Sequence, residues 1–162
     1  MKTRIYWVEK FSNGASLGIM PRPRGGDRLE DDIRSIKKQG VDVLVCLLEP
    51  AEIRELSLTM EQVTAIRNGL RFIHFPFPDR EAPPTSSYTE KFLRTLEAAI
   101  DEGATICIHC RMGIGRSAVI AGSLMLLKGA RYDDLLARIS KARGLKVPDT
   151  AEQVDWLKNR GS

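Results

Sequence analysis

The run His109-Cys110-Arg111-Met112-Gly113-Ile114-Gly115-Arg116-Ser117 gathers a sulfur nucleophile, two glycines, a guanidinium and a hydroxyl into one short stretch. An apolar segment, Ala104-Thr105-Ile106-Cys107-Ile108, precedes it, and an apolar helical stretch follows. That order predicts a strand, a tight loop and a helix N-terminus. Gly113 and Gly115 can take positive φ and carry no side chain to block close approach. Successive backbone N–H groups can then turn inward as a nest for an anion. A helix beginning near Gly115 or Arg116 adds its own unsatisfied N–H groups and the positive end of its dipole. Arg116 offers a planar pair of donors to two oxygens at once, which lysine cannot do. The same field favours an ionised sulfur at Cys110. The chemistry predicted is attack by sulfur on a tetrahedral dianion held in line by the loop.

Such a transfer needs a proton for the departing oxygen, and a carboxylic acid on a loop suits the task. The segment Phe75-Pro76-Phe77-Pro78-Asp79-Arg80-Glu81-Ala82-Pro83-Pro84 follows the apolar run from Leu70 to Phe75. Its prolines predict an irregular loop. Asp79 and Glu81 are the two carboxylates it supplies.

The signature run resembles the C-x5-R-[ST] loop of the protein tyrosine phosphatase superfamily, and the order of elements resembles its compact dual-specificity phosphatases. The stretch Leu17-Gly18-Ile19-Met20-Pro21-Arg22-Pro23-Arg24-Gly25-Gly26-Asp27 resembles the branch of cyclin-dependent kinase inhibitor 3-type phosphatases and their bacterial or archaeal relatives. The resemblance implies a phosphocysteine mechanism with no metal and no other cofactor. It implies Cys110 as nucleophile and Arg116 as the clamp on phosphate and transition state. Ser117 would donate a hydrogen bond to the sulfur as it leaves. Arg111, Met112, Gly113, Ile114 and Gly115 would supply backbone donors to the substrate, and His109 would tune the loop from behind. An acid after a proline-rich strand exit matches Asp79 rather than Glu81 as proton donor. The family often has glycine after that acid, where this chain has Arg80. The implied substrates are phosphotyrosine, and with it phosphoserine and phosphothreonine, on a protein or peptide, or a small aryl phosphate. Phosphoinositide specialists often carry lysines inside the loop, where this chain has Met112 and Ile114.

Two other classes fit parts of the pattern. Cys107-Ile108-His109-Cys110 is a C-x-x-C motif, as in thiol–disulfide oxidoreductases, although that motif normally opens a helix and would leave Arg116 without a role. A non-catalytic phosphate-binding module is the other. Cys46 and Cys107 are further candidates, either as thiols that trap an oxidised Cys110 or as inert packing residues. His74 reads as a strand-face residue, Trp7 and Trp156 as packing residues. Gln153 could lie near the pocket and orient water, but reads rather as a surface residue of the last helix.

The elements that must position these groups follow from patterning. The chain has 162 residues, 43% hydrophobic and 28% charged, which predicts one domain over 1–162 burying about 70% of its unfolded surface; the resemblance implies that it is a phosphatase domain. Three cysteines without a disulfide-like pattern suit a reducing cytoplasm, and the first residues, Met1 to Trp7, lack the features of a signal peptide. A scattered net charge of +4 favours anionic substrates without arguing for nucleic acid, and no apolar run is long enough to insert in a membrane. A monomer is expected. Arg4–Val8 and Leu17–Met20 read as a hairpin joined around Asn13-Gly14. Asp27 and Glu30 read as a capping box opening a helix with Leu29, Ile33 and Ile36 on one face. Val41–Leu48 reads as a doubly buried strand, Thr59–Asn68 as a helix, Leu70–Phe75 as a strand, and Thr89–Glu102 as a helix. Ala104–His109 is the strand that delivers Cys110. A buried helix to about Lys128 and helices near Tyr132–Arg143 and Thr150–Asn159 complete an α/β fold. Its mostly parallel sheet is flanked by helices, with the site at the strand C-termini.

Overall fold

A computed structural model describes residues 3–161. Met1 and Lys2, which open the segment read as lacking a leader, and Ser162 lie outside the described residues. Strands β1 (Tyr6–Lys10) and β2 (Ser16–Pro21) form the expected hairpin. Gly14 takes φ +93° in its turn, and Asn13 ties that turn to the Ile100 carbonyl at 2.8 Å. The chain continues through α1 (Leu29–Lys38), β3 (Val43–Cys46), α2 (Pro50–Glu55), α3 (Glu61–Arg67) and β4 (Arg71–His74). It ends with α4 (Ser87–Asp101), β5 (Ile106–Cys110), α5 (Arg116–Leu127), α6 (Tyr132–Arg143) and α7 (Ala151–Arg160).

The strands form one sheet in the order β1-β2-β5-β3-β4. Only the β1–β2 pair is antiparallel; β2–β5, β5–β3 and β3–β4 are parallel. The mostly parallel α/β reading therefore holds, and β5 lies in the middle of the sheet. Strand alternation sorts its side chains. Ile106, Ile108 and Cys110 join one apolar core with Val43 and Val45 of β3 and with residues of α4 to α7. Cys107 joins the other core with Leu44 and Cys46 of β3 and with Ile33 and Ile36 of α1. Helix α5 is buried through most of its length, as its apolar circumference requires. No helix among the described residues is long and apolar enough to cross a membrane.

Two local expectations need correction. No capping box forms at Asp27 and Glu30: a 3₁₀ turn (Gly26–Arg28) precedes α1, whose N-cap is Arg28 without a side-chain bond. Glu30 pairs across to Arg67 and Asn68 on the α3 side instead. The capping box lies instead at α2, a helix that no apolar pattern marks in the sequence, where Glu49 and Glu52 bond reciprocally with Pro50 in the first turn. The N-terminal strand also starts later than expected, at Tyr6.

The proline-rich loop after β4 is rooted in an aromatic stack. Phe75 lies parallel to Phe92 of α4 at 4.0 Å between ring centroids, with Tyr88 on Phe75 at 5.4 Å and Phe77 edge-on at 6.1 Å. His74 is the strand-face residue expected, its Nε2 bonded to the Leu48 carbonyl at 2.7 Å. Trp156 packs against the core and donates to Ser123 at 3.0 Å. Trp7 is 39% exposed and lies over Gly18, whose Cβ would come within 3.0 Å of the indole. Phe92→Ala should cost about 3–5 kcal/mol, measured by chemical denaturation, because the stack rather than local propensity roots the loop.

Candidate active site

Cys110 ends β5 and Arg116 begins α5, so the signature loop spans the gap between strand and helix as its spacing required. The carbonyls of its first half are all engaged from outside. The Arg22 N–H bonds the Arg111 carbonyl at 3.2 Å. Arg143 bonds the Met112 and Gly113 carbonyls at 3.1 Å and 3.0 Å while its guanidinium lies 4.1 Å from the Tyr6 ring centre. A trans peptide points its C=O and its N–H in opposite directions. The N–H groups of Met112, Gly113 and Ile114 therefore face the inside of the loop. Gly113 takes φ +68°, and a Cβ there would lie 2.5 Å from the Met20 carbonyl carbon. Gly115 differs from expectation: its φ is −86°, and what it requires is room. A Cβ there would lie 2.5 Å from Asp149 Oδ1 and 2.8 Å from Gln153 Oε1.

Ser117 Oγ donates to Cys110 Sγ at 3.1 Å. Arg116 is fully buried. It makes a fork-on-fork pair with Glu52, Nη1 to Oε1 at 2.8 Å and Nη2 to Oε2 at 2.9 Å. Nη1 also reaches the Phe77 carbonyl at 3.1 Å. Burial works against the guanidinium charge, but Glu52, with Cys110 and Asp79 nearby, outweighs it and keeps the arginine pKa above its ordinary value. Burial likewise works against the Glu52 carboxylate. The bonds it accepts from Arg116 and from the Glu49 N–H outweigh that and lower its pKa. The Arg116 Nε donor is buried with no partner among the described residues, a hydrogen-bond donor available to an anion in the loop.

Asp79 Oδ1 lies 3.5 Å from Arg116 Nη2, with its side chain 57% exposed. The structure thus brings Asp79, Arg116, Cys110 and Ser117 to the C-terminal ends of the parallel strands. Glu81 is exposed. Gln153 is not the surface residue expected. It is fully buried, its Oε1 has no partner, and it abuts Gly115.

Behind the loop, on the opposite face of the sheet, His109 is fully buried. Its Nδ1 faces the Cys110 carbonyl at 3.3 Å and its Nε2 faces Glu61 Oε2 at 2.5 Å. Both ring nitrogens meet acceptors, which is the arrangement of an imidazolium. Burial opposes that charge, but Glu61, with Cys46 beside it, raises the His109 pKa well above the usual value. Cys46, Glu61 and His109 present ligand-type atoms within 4.8 Å of one another. Nε2 and Oε2 stand at hydrogen-bond distance from each other. Two ligands on one zinc ion, each about 2.0–2.3 Å from it, would stand farther apart. Glu52 and Glu61 were both missed from sequence. Glu52 had a signal, the Glu49-Pro50-x-Glu52 helix start; Glu61 had none.

The C-x-x-C reading fails on geometry. Cys107 and Cys110 lie on one extended strand and belong to opposite cores. Three residues of strand span about 10 Å, beyond the roughly 7 Å limit between Cα atoms of a disulfide. Burial also raises the Cys107 thiol pKa far above its ordinary value. Cys46 and Cys107 both pack in the core across the sheet from Cys110.

Residues 18–130 match the family described as "Polymorphic toxin system, DSP-PTPase phosphatase", and the chain belongs to that family. The chain is a compact dual-specificity member of the protein tyrosine phosphatase superfamily. The protein tyrosine phosphatase type IVA 3 of Mus musculus is 27% identical over 113 residues, 68% of this chain and 60% of that protein. The chain thus spans about 60% of the length of the first curated relatives it matches. Among solved structures, kinase associated phosphatase with serine in place of its catalytic-site cysteine superposes with a TM-score of 0.84. It covers 97% of this chain and 93% of its own at 19% identity. Tk-PTP in the active form superposes with a TM-score of 0.74 over 97% and 95% of the two chains, at 24% identity.

The His109–Glu61 pair predicts a pH-dependent stability. A histidine whose folded pKa lies above its unfolded one stabilises fully below the unfolded pKa, about 6.5, and loses that contribution as pH rises through the folded value. Glu61→Gln removes the counter-charge and nearly keeps the shape. It should cost about 3–5 kcal/mol near pH 6, and the cost should shrink toward alkaline pH, read from denaturation midpoints across that range.

Proposed function

We propose that this chain is a metal-independent phosphatase that hydrolyses phosphotyrosine, and with it phosphoserine and phosphothreonine, through a phosphocysteine. The observation that carries this reading is the convergence on one loop of Cys110, the Ser117 hydroxyl 3.1 Å from its sulfur, the buried Arg116 fork and Asp79 3.5 Å from that fork. The Cys110 thiolate attacks phosphorus as the bond to the leaving oxygen breaks, and the Asp79 carboxyl gives that oxygen its proton. Arg116 and the inward N–H groups hold the equatorial oxygens. Water then attacks the phosphocysteine, its proton passing to Asp79, and the sulfur departs with the Ser117 hydrogen bond. Gln153, buried beside Gly115 with a free Oε1, orients that water. His109, charged by Glu61, braces the loop through the Cys110 carbonyl.

The substrate is a phosphorylated protein or peptide, or a small aryl phosphate, since Met112 and Ile114 add no cation to the loop. The chain works as a monomer and as a single domain over 1–162. Its three free, buried cysteines suit a reducing cytoplasm.

Cys110→Ser should abolish turnover of aryl phosphates and phosphopeptides while inorganic phosphate still binds, measured by steady-state kinetics and calorimetry. Chelators should leave the wild-type rate unchanged. Asp79→Asn should lower kcat/KM for substrates with poor leaving groups by about 10²–10⁴-fold and for good ones far less. The reverse assignment, that pattern in Glu81→Gln and not in Asp79→Asn, would move the acid to Glu81.

A further inference from the structure

The three residues that follow Asp79 are each held by the first turn of α7. Thr150 Oγ1 donates to the Arg80 carbonyl at 3.0 Å. Gln153 Nε2 donates to the Glu81 carbonyl at 3.1 Å. The Glu152 carboxylate accepts the Ala82 N–H at 2.7 Å. Arg80 Nη1 lies 3.6 Å from Asp149 Oδ2.

The held segment is strained. The Glu81 N–H closes a turn onto the Pro78 carbonyl at 3.2 Å, and Arg80, its third residue, sits at φ +68°. A turn with positive φ at that place suits glycine. An arginine persists there only where its surroundings enforce the conformation. Asp79 is the residue just before it, so the same turn fixes where the carboxylate points. Two of the contacts fall on backbone atoms of 80 and 82, flanking the strained peptide, and come from side chains that lie outside the signature loop. Thr150 is in addition the N-cap of α7, accepting the Gln153 N–H at 3.3 Å. One hydroxyl therefore starts the helix and holds the loop.

We propose that Thr150 and Glu152 are positioning residues for proton transfer. They hold the 78–81 turn and the residue after it so that the Asp79 carboxyl stays over the Arg116 fork, and they act on the reaction only through Asp79. The inference rests on the reading of Asp79 as proton donor. Loss of either contact should therefore weaken protonation of the leaving group and leave sulfur attack and phosphate binding alone.

The test uses the full chain and a series of aryl phosphates of graded leaving-group acidity, with inorganic phosphate as the binding probe. Glu152→Ala and Thr150→Val should each lower kcat/KM, which reports the steps through transfer to sulfur, roughly tenfold to a hundredfold for phenyl phosphate. For a dinitrophenyl phosphate the loss should stay below about twofold. Inhibition by phosphate should be unchanged, and the limb of the pH–rate profile belonging to the acid should shrink. Thr150→Ser, which keeps the hydroxyl, should restore the wild-type leaving-group dependence. Thr150→Val also removes a helix cap, so Glu152→Ala decides the matter if that variant fails to fold. Equal losses across all leaving groups, or none, overturn the proposal. Asp79→Asn measured in parallel separates the two readings. If it shows no leaving-group dependence, the proton-donor assignment falls. If it does while Glu152→Ala behaves as wild type, only the positioning role falls.

Discussion

A guanidinium with no exposed surface must be compensated where it lies, because it cannot shed its proton. Arg116 is such a group, and much of the site can be traced to the ways it is compensated. Glu52 supplies the opposing charge with matched geometry, and to do so α2 must start where it does, with Pro50 in its first turn and Glu49 closing the cap. The Leu47 and Phe77 carbonyls, from the exits of two neighbouring stretches of chain, supply further acceptors. The Phe77 bond brings the proline-rich loop against the signature loop, and with it Asp79. One buried cation thus organises a helix start, a strand exit and a loop.

A second charge is compensated across the sheet. Strand β5 sends Cys110 to the face covered by α4 to α7 and His109 to the face covered by α1 and α3. The pair formed with Glu61 lies in that second core, out of reach of a substrate. The strand is a partition, and its backbone joins the two sides, since His109 meets the Cys110 carbonyl. Electrostatic support for the loop can then come from a compartment that the phosphate never enters.

The local parts of this arrangement were legible in the sequence. The signature loop is a short contiguous run whose glycines and arginine have no other economical use, and the alternation of apolar runs with helical patterns gave the order of strands and helices. What was not legible was tertiary. Glu52 lies 64 residues from its partner and Glu61 lies 48 residues from His109; in a sequence each is an ordinary acidic residue near a helix start. Gln153 had a usable sign, since it stands four residues before the buried Leu157 and so shares its helix face. Its amide suggested solvent, and the buried cleft beside Gly115 overrode that. The capping box was misplaced for a similar reason. Asp27 and Glu30 have the right spacing, but Glu30 finds stronger partners in Arg67 and Asn68.

The aromatic stack beneath the proline-rich loop has a consequence for entropy. Phe75 and Phe77 are buried, and on the far side Ser86 caps α4 while Thr89 bonds the Pro84 carbonyl at 2.6 Å. Between these moorings only residues 78–83 are spanned, with proline at both ends. Proline restricts the unfolded and open ensembles alike, and each residue ordered carries roughly 1–2 kcal/mol of backbone entropy. A short, proline-bounded span has few residues to order and few alternatives to abandon. The carboxylate it carries is therefore brought to its station by a leash too short to wander, and the entropy lost in setting it there is small.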